Sequence, residues 1–395
     1  MRARSGVVLL AGVLTVTLVL RAPITSVPPA LPVLATALGL GPVGAGLVTS
    51  LPLICFGVFA FLTPRLAARY GAERTLWLAV AVLLLGQLVR PFGGVVPFFA
   101  GTLLLGIGIA VGNVIVPAIA RARFAHRLAP VMGGYAATIN LSGAAGAFAT
   151  APLLGLGWTW PWAIGVWILP TALALGWWTV GLRVMRRYDA AGPGRVRTPP
   201  ASLATLAARP LTWAIALVMG LQSLVFYSLV AWIPLIMIGH GMNTQAGGLA
   251  AGLFSVLGMP GSYLGAWLTR ARRPAVAFGL LGVVFVAGLA MLLHPGLAIA
   301  GAGLCGLCQG FTLAAALTFI AHQRHPQDVP AVSTLAQGAG YLLAAAGPVL
   351  LGALVGATGS FTSGNAVLVG MVALVTVTSV GVCRAERSPA RQKGC

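Results

Sequence analysis

The sequence predicts an all-α polytopic membrane protein, with twelve transmembrane helices in two pseudo-symmetric six-helix bundles. Three observations carry that prediction. Of 395 residues, 59% are hydrophobic and only 7% are charged, where a soluble domain carries about 25% charged residues. Long apolar runs recur along the chain, each near the ~20 residues that a bilayer-spanning helix needs. The basic residues gather in short clusters at alternate ends of those runs. So few charges cannot cover a soluble surface, and the apolar content is the reverse of a disordered composition. A net charge of +20 then speaks of membrane topology and not of nucleic acid, because the Lys and Arg sit between apolar runs.

The N-terminus imitates a signal peptide. Arg2 and Arg4 precede the apolar stretch Gly6–Leu20, and Ala35-Thr36-Ala37 resembles a cleavage site. The span from Gly6 to Ala37 is too long for one, however, and Arg21 and four prolines interrupt it. Cleavage would also leave an odd number of spans and invert every basic loop. The segment is therefore read as the first span.

Twelve segments qualify as spans, approximately 7–36, 45–66, 75–91, 97–120, 129–156, 161–181, 210–238, 245–268, 275–293, 296–321, 329–356 and 362–383. The N-terminus, the even-numbered connections and the C-terminal tail hold 22 of the 24 Lys and Arg. The exceptions are Arg21, inside the first span, and Arg90, at the outer end of the third. Basic loops face the cytoplasm, so both termini are expected there, in the cytoplasmic (inner) membrane of a bacterial cell.

The longest polar stretch, 183–209, separates two halves of six spans. The expected division is residues 1–182, a linker 183–209, residues 210–383 and a tail 384–395. Gly192-Pro193-Gly194 and Pro199-Pro200 should keep 188–200 irregular. With an offset of 202, Pro32 falls on Pro234, Gly39 on Gly241, Gly46-Leu47 on Gly248-Leu249 and Leu51 on Leu253. Two parallel halves of this kind point to the major facilitator architecture, in which two bundles rock about a site near the midplane. A monomer in the lipid bilayer is expected, with a small-molecule substrate as its partner.

The polar residues narrow the chemistry. The four acids, Glu73, Asp189, Asp328 and Glu386, and the five histidines, His126, His240, His294, His322 and His325, fall at loops or helix ends. An embedded hydrolase needs an acid–base group within the bilayer, and none is offered, so an enzyme is not expected. A transporter coupled through an intramembrane carboxylate and a cationic substrate are disfavoured for the same reason. Cys305-Gly-Leu-Cys308 is a CxxC inside an apolar run without a nearby His or carboxylate, so it reads as two small packing residues; no metal or cofactor is expected. The Gly106, Gly108, Gly112 run lacks the strand that a dinucleotide fingerprint requires, and reads with Gly143/Gly146 and Gly338/Gly347 as close helix packing.

Arg21 is the one charge within a span, and the repeat maps it onto Ser223. A guanidinium there costs on the order of 3 kcal/mol or more, which favours a fixed cation facing a central cavity over a lipid-facing side chain. Pro23, Pro28, Pro29 and Pro32 cannot donate to the carbonyls of Val19, Ile24, Thr25 and Pro28, so the first span should be bent and protein-facing. Neutral polar residues at similar depth complete the candidate substrate-binding set. They are Asn113, Asn140, Gln222, Tyr227, Gln309, Gln337 and Tyr341, with Trp232 as a stacking surface. Gln337 and Tyr341 share a helical face, as do Ser223 and Tyr227. Each amide serves equally well as an interhelical hydrogen bond.

Several segments resemble one family. Leu20-Arg21-Ala-Pro-Ile-Thr-Ser, Leu51-Pro52-Leu53-Ile-Cys-Phe-Gly57 and Gly106-Ile-Gly-Ile-Ala-Val-Gly-Asn113 are similar to the cyanate permease and 2-nitroimidazole transporter family of the major facilitator superfamily. So are Gly220-Leu-Gln-Ser-Leu-Val-Phe-Tyr227, Ala231-Trp-Ile-Pro234, Gln337-Gly-Ala-Gly-Tyr341 and Gly347-Pro348. The resemblance implies a secondary active or facilitative transporter for a small anion or small polar heteroaromatic solute. An exporter of neutral nitroimidazole-type drugs is the alternative, and a receptor or embedded enzyme the reading from another class. In the loop after the second span, Ala68 stands where the wider superfamily carries Asp, ahead of Arg69-Tyr70-Gly71-Ala72-Glu73-Arg74. The Gly-Pro element of drug/proton antiporters falls in the eleventh span instead of the fifth.

Overall fold

A computed structural model describes residues 3–91, 94–124, 128–189, 203–268, 273–321, 323 and 328–387. Among them the secondary structure is helical throughout. The helices are α1 (Ala3–Val19), α2 (Ala22–Thr25), α3 (Val27–Leu38), α4 (Pro42–Tyr70), α5 (Ala72–Val89), α6 (Val95–Arg123), α7 (Leu128–Gly155) and α8 (Trp160–Gly165). They continue with α9 (Ile168–Asp189), α10 (Leu203–Ala207), α11 (Pro210–Gly239), α12 (Thr244–Leu268), α13 (Pro274–Leu292), α14 (Ala298–Ala321), α15 (Val329–Thr358) and α16 (Phe361–Arg387). Taking α1–α3 as one interrupted segment and α8–α9 as another, the long segments number twelve, with α10 a short separate helix.

Ten spans among the described residues are long and apolar enough to cross a membrane, against the twelve expected. The difference lies in α7 and α12. Both have the length, at 28 and 25 residues. The chain is an integral membrane protein. The irregular stretch expected over 188–200 lies outside the described residues except for Tyr188 and Asp189, which instead end α9.

The chain forms two compact units: Met1–Gly39 with Leu51–Thr198, and Leu40–Ser50 with Pro199–Cys395. In the first, α5 packs along α6, while α1 lies against α7 and α9. The N-terminal helix is thus part of a bundle. Glycine permits close approach: a Cβ on Gly101 would stand 2.6 Å from the oxygen of Gly86. Trp178 seals the same unit, fully buried, with its indole N–H on the oxygen of Glu73 at 3.0 Å. Glu73 also accepts from Arg123 Nη2 at 2.6 Å, tying the start of α5 to the end of α6.

In the second unit, α12 pairs with α14 and α11 with α15. Cβ atoms on Gly261, Gly306 and Gly310 would collide with the main chain of Leu307, Phe254 and Gly258, so α12 and α14 touch backbone to backbone. Cys305 packs against Gly288 of α13, where a Cβ would sit 3.0 Å from its Sγ, which is the packing role read from the sequence. A core of Ile215, Met219, Phe278, Phe311, Phe319 and Val375 fills the space between helices. Asp328, 6% exposed at its side chain, is paired at 2.9 Å with Arg209.

Candidate functional site

The polar candidates divide between the units: Arg21, Asn113 and Asn140 lie in the first and the other six in the second. In the first, the group is organised by the break in the opening span. α1 stops at Val19, Arg21 takes φ −126° and ψ −37°, and a second interruption at Ser26 separates α2 from α3. The break is expected from the prolines, and side chains of other helices serve it. Ser142 of α7 accepts from the N–H of Ala22 at 2.9 Å and of Arg21 at 3.3 Å, and donates to the oxygen of Leu18. Leu18 O and Ala22 N are an i, i+4 pair, so the hydroxyl is inserted into the rung that an unbroken helix would close. Insertion of this kind is a recognised cause of kinks.

The second interruption is served by another side chain. Pro23 O receives Arg90 Nη1 at 2.9 Å. Helix interruption frees carbonyls one turn before each break, and Leu18 and Pro23 gain interhelical donors there. The segment from Ala22 to Ala30 is buried throughout, whereas Arg21 retains partial exposure. The first span is bent and protein-facing here, as expected.

The residues on either side of Arg21 are packed by α6 and α7. Leu20 packs against Gly112, where a Cβ would meet its Cδ2 at 2.7 Å; Asn113 is the next residue on α6. Asn113 Oδ1 is buried without a hydrogen-bond partner. Asn140, 8% exposed, lies two residues before Ser142 on α7. Gly146 is one turn further on, and a Cβ there would stand 2.5 Å from Ala22 O. Only glycine lets α2 rest on α7 this closely.

In the second unit, Gln222 and Gln309 meet directly. Gln309 Nε2 donates to the main-chain oxygen and to Oε1 of Gln222, both at 2.9 Å. Gln222 Nε2 reaches Ser223 Oγ at 2.7 Å and Met219 O at 3.2 Å. The two glutamines are 2% and 3% exposed, so this is a desolvated amide pair between α11 and α14. Ser223, the repeat partner of Arg21, belongs to it.

The other candidates are not drawn into that pair by the contacts described. Tyr227 stands edge-on to Phe226 with ring centroids 4.9 Å apart. Trp232 sends its indole N–H toward Pro348 O at 3.4 Å, a helix-packing use. Gln337 donates to Ser333 Oγ at 2.7 Å on its own helix. Tyr341 is half-buried against the apolar core of the unit.

Sequence reasoning missed two residues. Ser142 gave no signal, being one hydroxyl among many on apolar helices. Arg90 did give one, as an exception to the charge asymmetry; its placement at the end of α5, 4% exposed, is the explanation.

The Major Facilitator Superfamily profile matches residues 13–348. The chain is 32% identical over 364 residues to the 2-nitroimidazole transporter of Escherichia coli, covering 91% of each chain. It is 27% identical over 344 residues to the cyanate transport protein CynX of the same organism, covering 86% of this chain and 87% of that one. Its fold is similar to a bacterial homologue of the human lysosomal transporter Spinster in an inward-facing, occupied conformation. That match has a TM-score of 0.74 and 17% identity, and covers 99% and 98% of the two chains.

Proposed function

From the premise that the chain belongs to the major facilitator superfamily, and is a membrane transporter and not an enzyme, we propose that it carries a small anion or small polar heteroaromatic solute by alternating access. The observation that carries this reading is Arg21, a permanent cation at a break in the first span, partly exposed where its neighbours are buried. Broken helices supply ion and substrate sites in secondary transporters. A planar guanidinium offers paired donors suited to nitro, carboxylate or cyanate-type groups. Asn113, Asn140, Gln222, Tyr227, Trp232, Gln309, Gln337 and Tyr341 are proposed to contribute further contacts. The basic loops favour both termini in the cytoplasm and the protein in the cytoplasmic membrane, working as a monomer.

The test is solute flux into proteoliposomes for a panel of small anions and azoles. Arg21→Lys keeps the charge without the fork and should impair transport. Arg21→Gln should nearly abolish it for anions, since a charge-assisted hydrogen bond is worth about 1.5–3 kcal/mol, roughly tenfold to a hundredfold in apparent affinity. Both variants should reach the membrane normally. If Arg21→Gln moves an anion as well as the parent does, the anion reading fails. Export of neutral nitroimidazole-type drugs is the second reading, favoured by the relative named 2-nitroimidazole transporter. Transport of such a compound untouched by Arg21→Gln would select it.

A further inference from the structure

The Gln222–Gln309 pair contains one atom that its own hydrogen bonds leave over. The orientation of the Gln309 amide is fixed by a main-chain carbonyl, because Gln222 O can only accept and faces Gln309 Nε2 at 2.9 Å. The other terminal atom is therefore an oxygen. Both hydrogens of Gln309 Nε2 are engaged, on Gln222 O and Gln222 Oε1. Those of Gln222 Nε2 are engaged on Ser223 Oγ and Met219 O. With all four amide hydrogens used, Gln309 Oε1 remains buried without a partner, on a side chain that is 3% exposed.

A desolvated acceptor of this kind costs on the order of 1–3 kcal/mol unless something donates to it. Amide–amide pairing locks the oxygen in place, so it acts as a preset acceptor and not as a rotating one. We infer that Gln309 is a specificity-determining residue of the transport site, whose Oε1 reads an N–H or O–H donor on the solute. This inference rests on the transporter reading above and deepens it. A solute recognised here carries a donor hydrogen, as a neutral azole does. An acceptor-only anion of the cyanate type leaves Gln309 Oε1 as it is now. A site built around a hydrogen bond rejects analogues that lack it far more strongly than an apolar pocket rejects a missing methylene.

The experiment uses the full-length protein in proteoliposomes, an N–H nitroimidazole and its N-methyl counterpart, at pH values below and above the N–H compound's own pKa. Below that pKa the parent should prefer the N–H compound by about tenfold or more in apparent affinity. The preference should fall above it, where the azole has lost its donor. Gln309→Met keeps the side-chain length and removes the acceptor, and should bring the ratio near one. Phe311→Leu removes packing from the core on the same helix, outside the candidate set, and should keep the preference at lower thermal stability. A role confined to packing would lower stability in both variants without moving the ratio in either.

Equal handling of the two azoles by the parent, the result expected if a trapped water serves Gln309, overturns the inference without any variant. So does an affinity that rises above the pKa, which would mean that the azolate anion is the species bound. In either case continued sensitivity of anion flux to Arg21→Gln leaves the proposed function standing. A parent that moves neither azoles nor anions overturns both.

Discussion

Arg90 Nη1 donates to the main-chain oxygen of Pro23 across 2.9 Å, binding the end of α5 to the broken first span. The guanidinium carbon also sits 4.9 Å from the centre of the Phe98 ring. An arginine that the charge asymmetry treats as a stray outer residue is thus an interior brace, using one of the few side chains long enough to reach a carbonyl on a neighbouring helix.

Removing that brace should be measurable. Arg90→Met takes the shorter of two donors from the Pro23 carbonyl, which Ser26 Oγ also reaches at 3.4 Å, at a cost of up to about 1–3 kcal/mol, partly offset because a buried cation is itself expensive. A modest fall in the thermal midpoint of the purified protein in detergent is expected, with Arg90→Lys recovering little. An unchanged midpoint in Arg90→Met would exclude the brace.

Ser142→Ala should cost more. It strips the hydroxyl from between Leu18 O and Ala22 N, leaving a donor and an acceptor unpaired, each worth about 1–3 kcal/mol. The expected outcome is a larger drop in midpoint than for Arg90→Met, with reduced flux because Arg21 sits in the loosened turn. Wild-type flux and stability would show that the break holds without Ser142.

Two glycine substitutions make an internal control. Gly146→Ala places a methyl 2.5 Å from Ala22 O, an overpacking that typically costs about 1–3 kcal/mol. Gly370 has nothing within 4 Å of its would-be Cβ, so Gly370→Ala should be neutral, or stabilising by up to about 1 kcal/mol from helix propensity. Thermal unfolding of both variants checks the contrast. Equal effects would mean that α2 and α7 are not held at this distance.

Orientation is open to cysteine labelling. Single cysteines at Leu40, Thr159 and Ser360 should react with an impermeant thiol reagent from outside the cell, and one at Arg195 only from inside. Ser360 suits this better than the adjacent Gly359, whose φ of +64° would strain any other residue. External labelling at 195 would invert the proposed topology.

The glutamines show where sequence reading runs out. Gln222 and Gln309 stand out in their runs as polar residues among apolar neighbours, so their candidacy is legible. Their pairing across 87 positions is not, because it depends on which faces of α11 and α14 meet in the folded bundle. Gln337 looks equally promising and turns out to be occupied by Ser333 on its own helix.

What the sequence determined by itself is the membrane class, the helical segments and the interruption at Arg21. Each follows from local properties: hydropathy per turn, the missing N–H of proline, and the cost of a charge in lipid. The tertiary structure decided the partners. A carbonyl freed at Leu18 or Pro23 is a local fact, but its donor, Ser142 or Arg90, comes from another helix 124 or 67 residues away. In lipid, apolar faces are nearly interchangeable, so the register between helices is set by close backbone approach and by the few polar groups that must find one another.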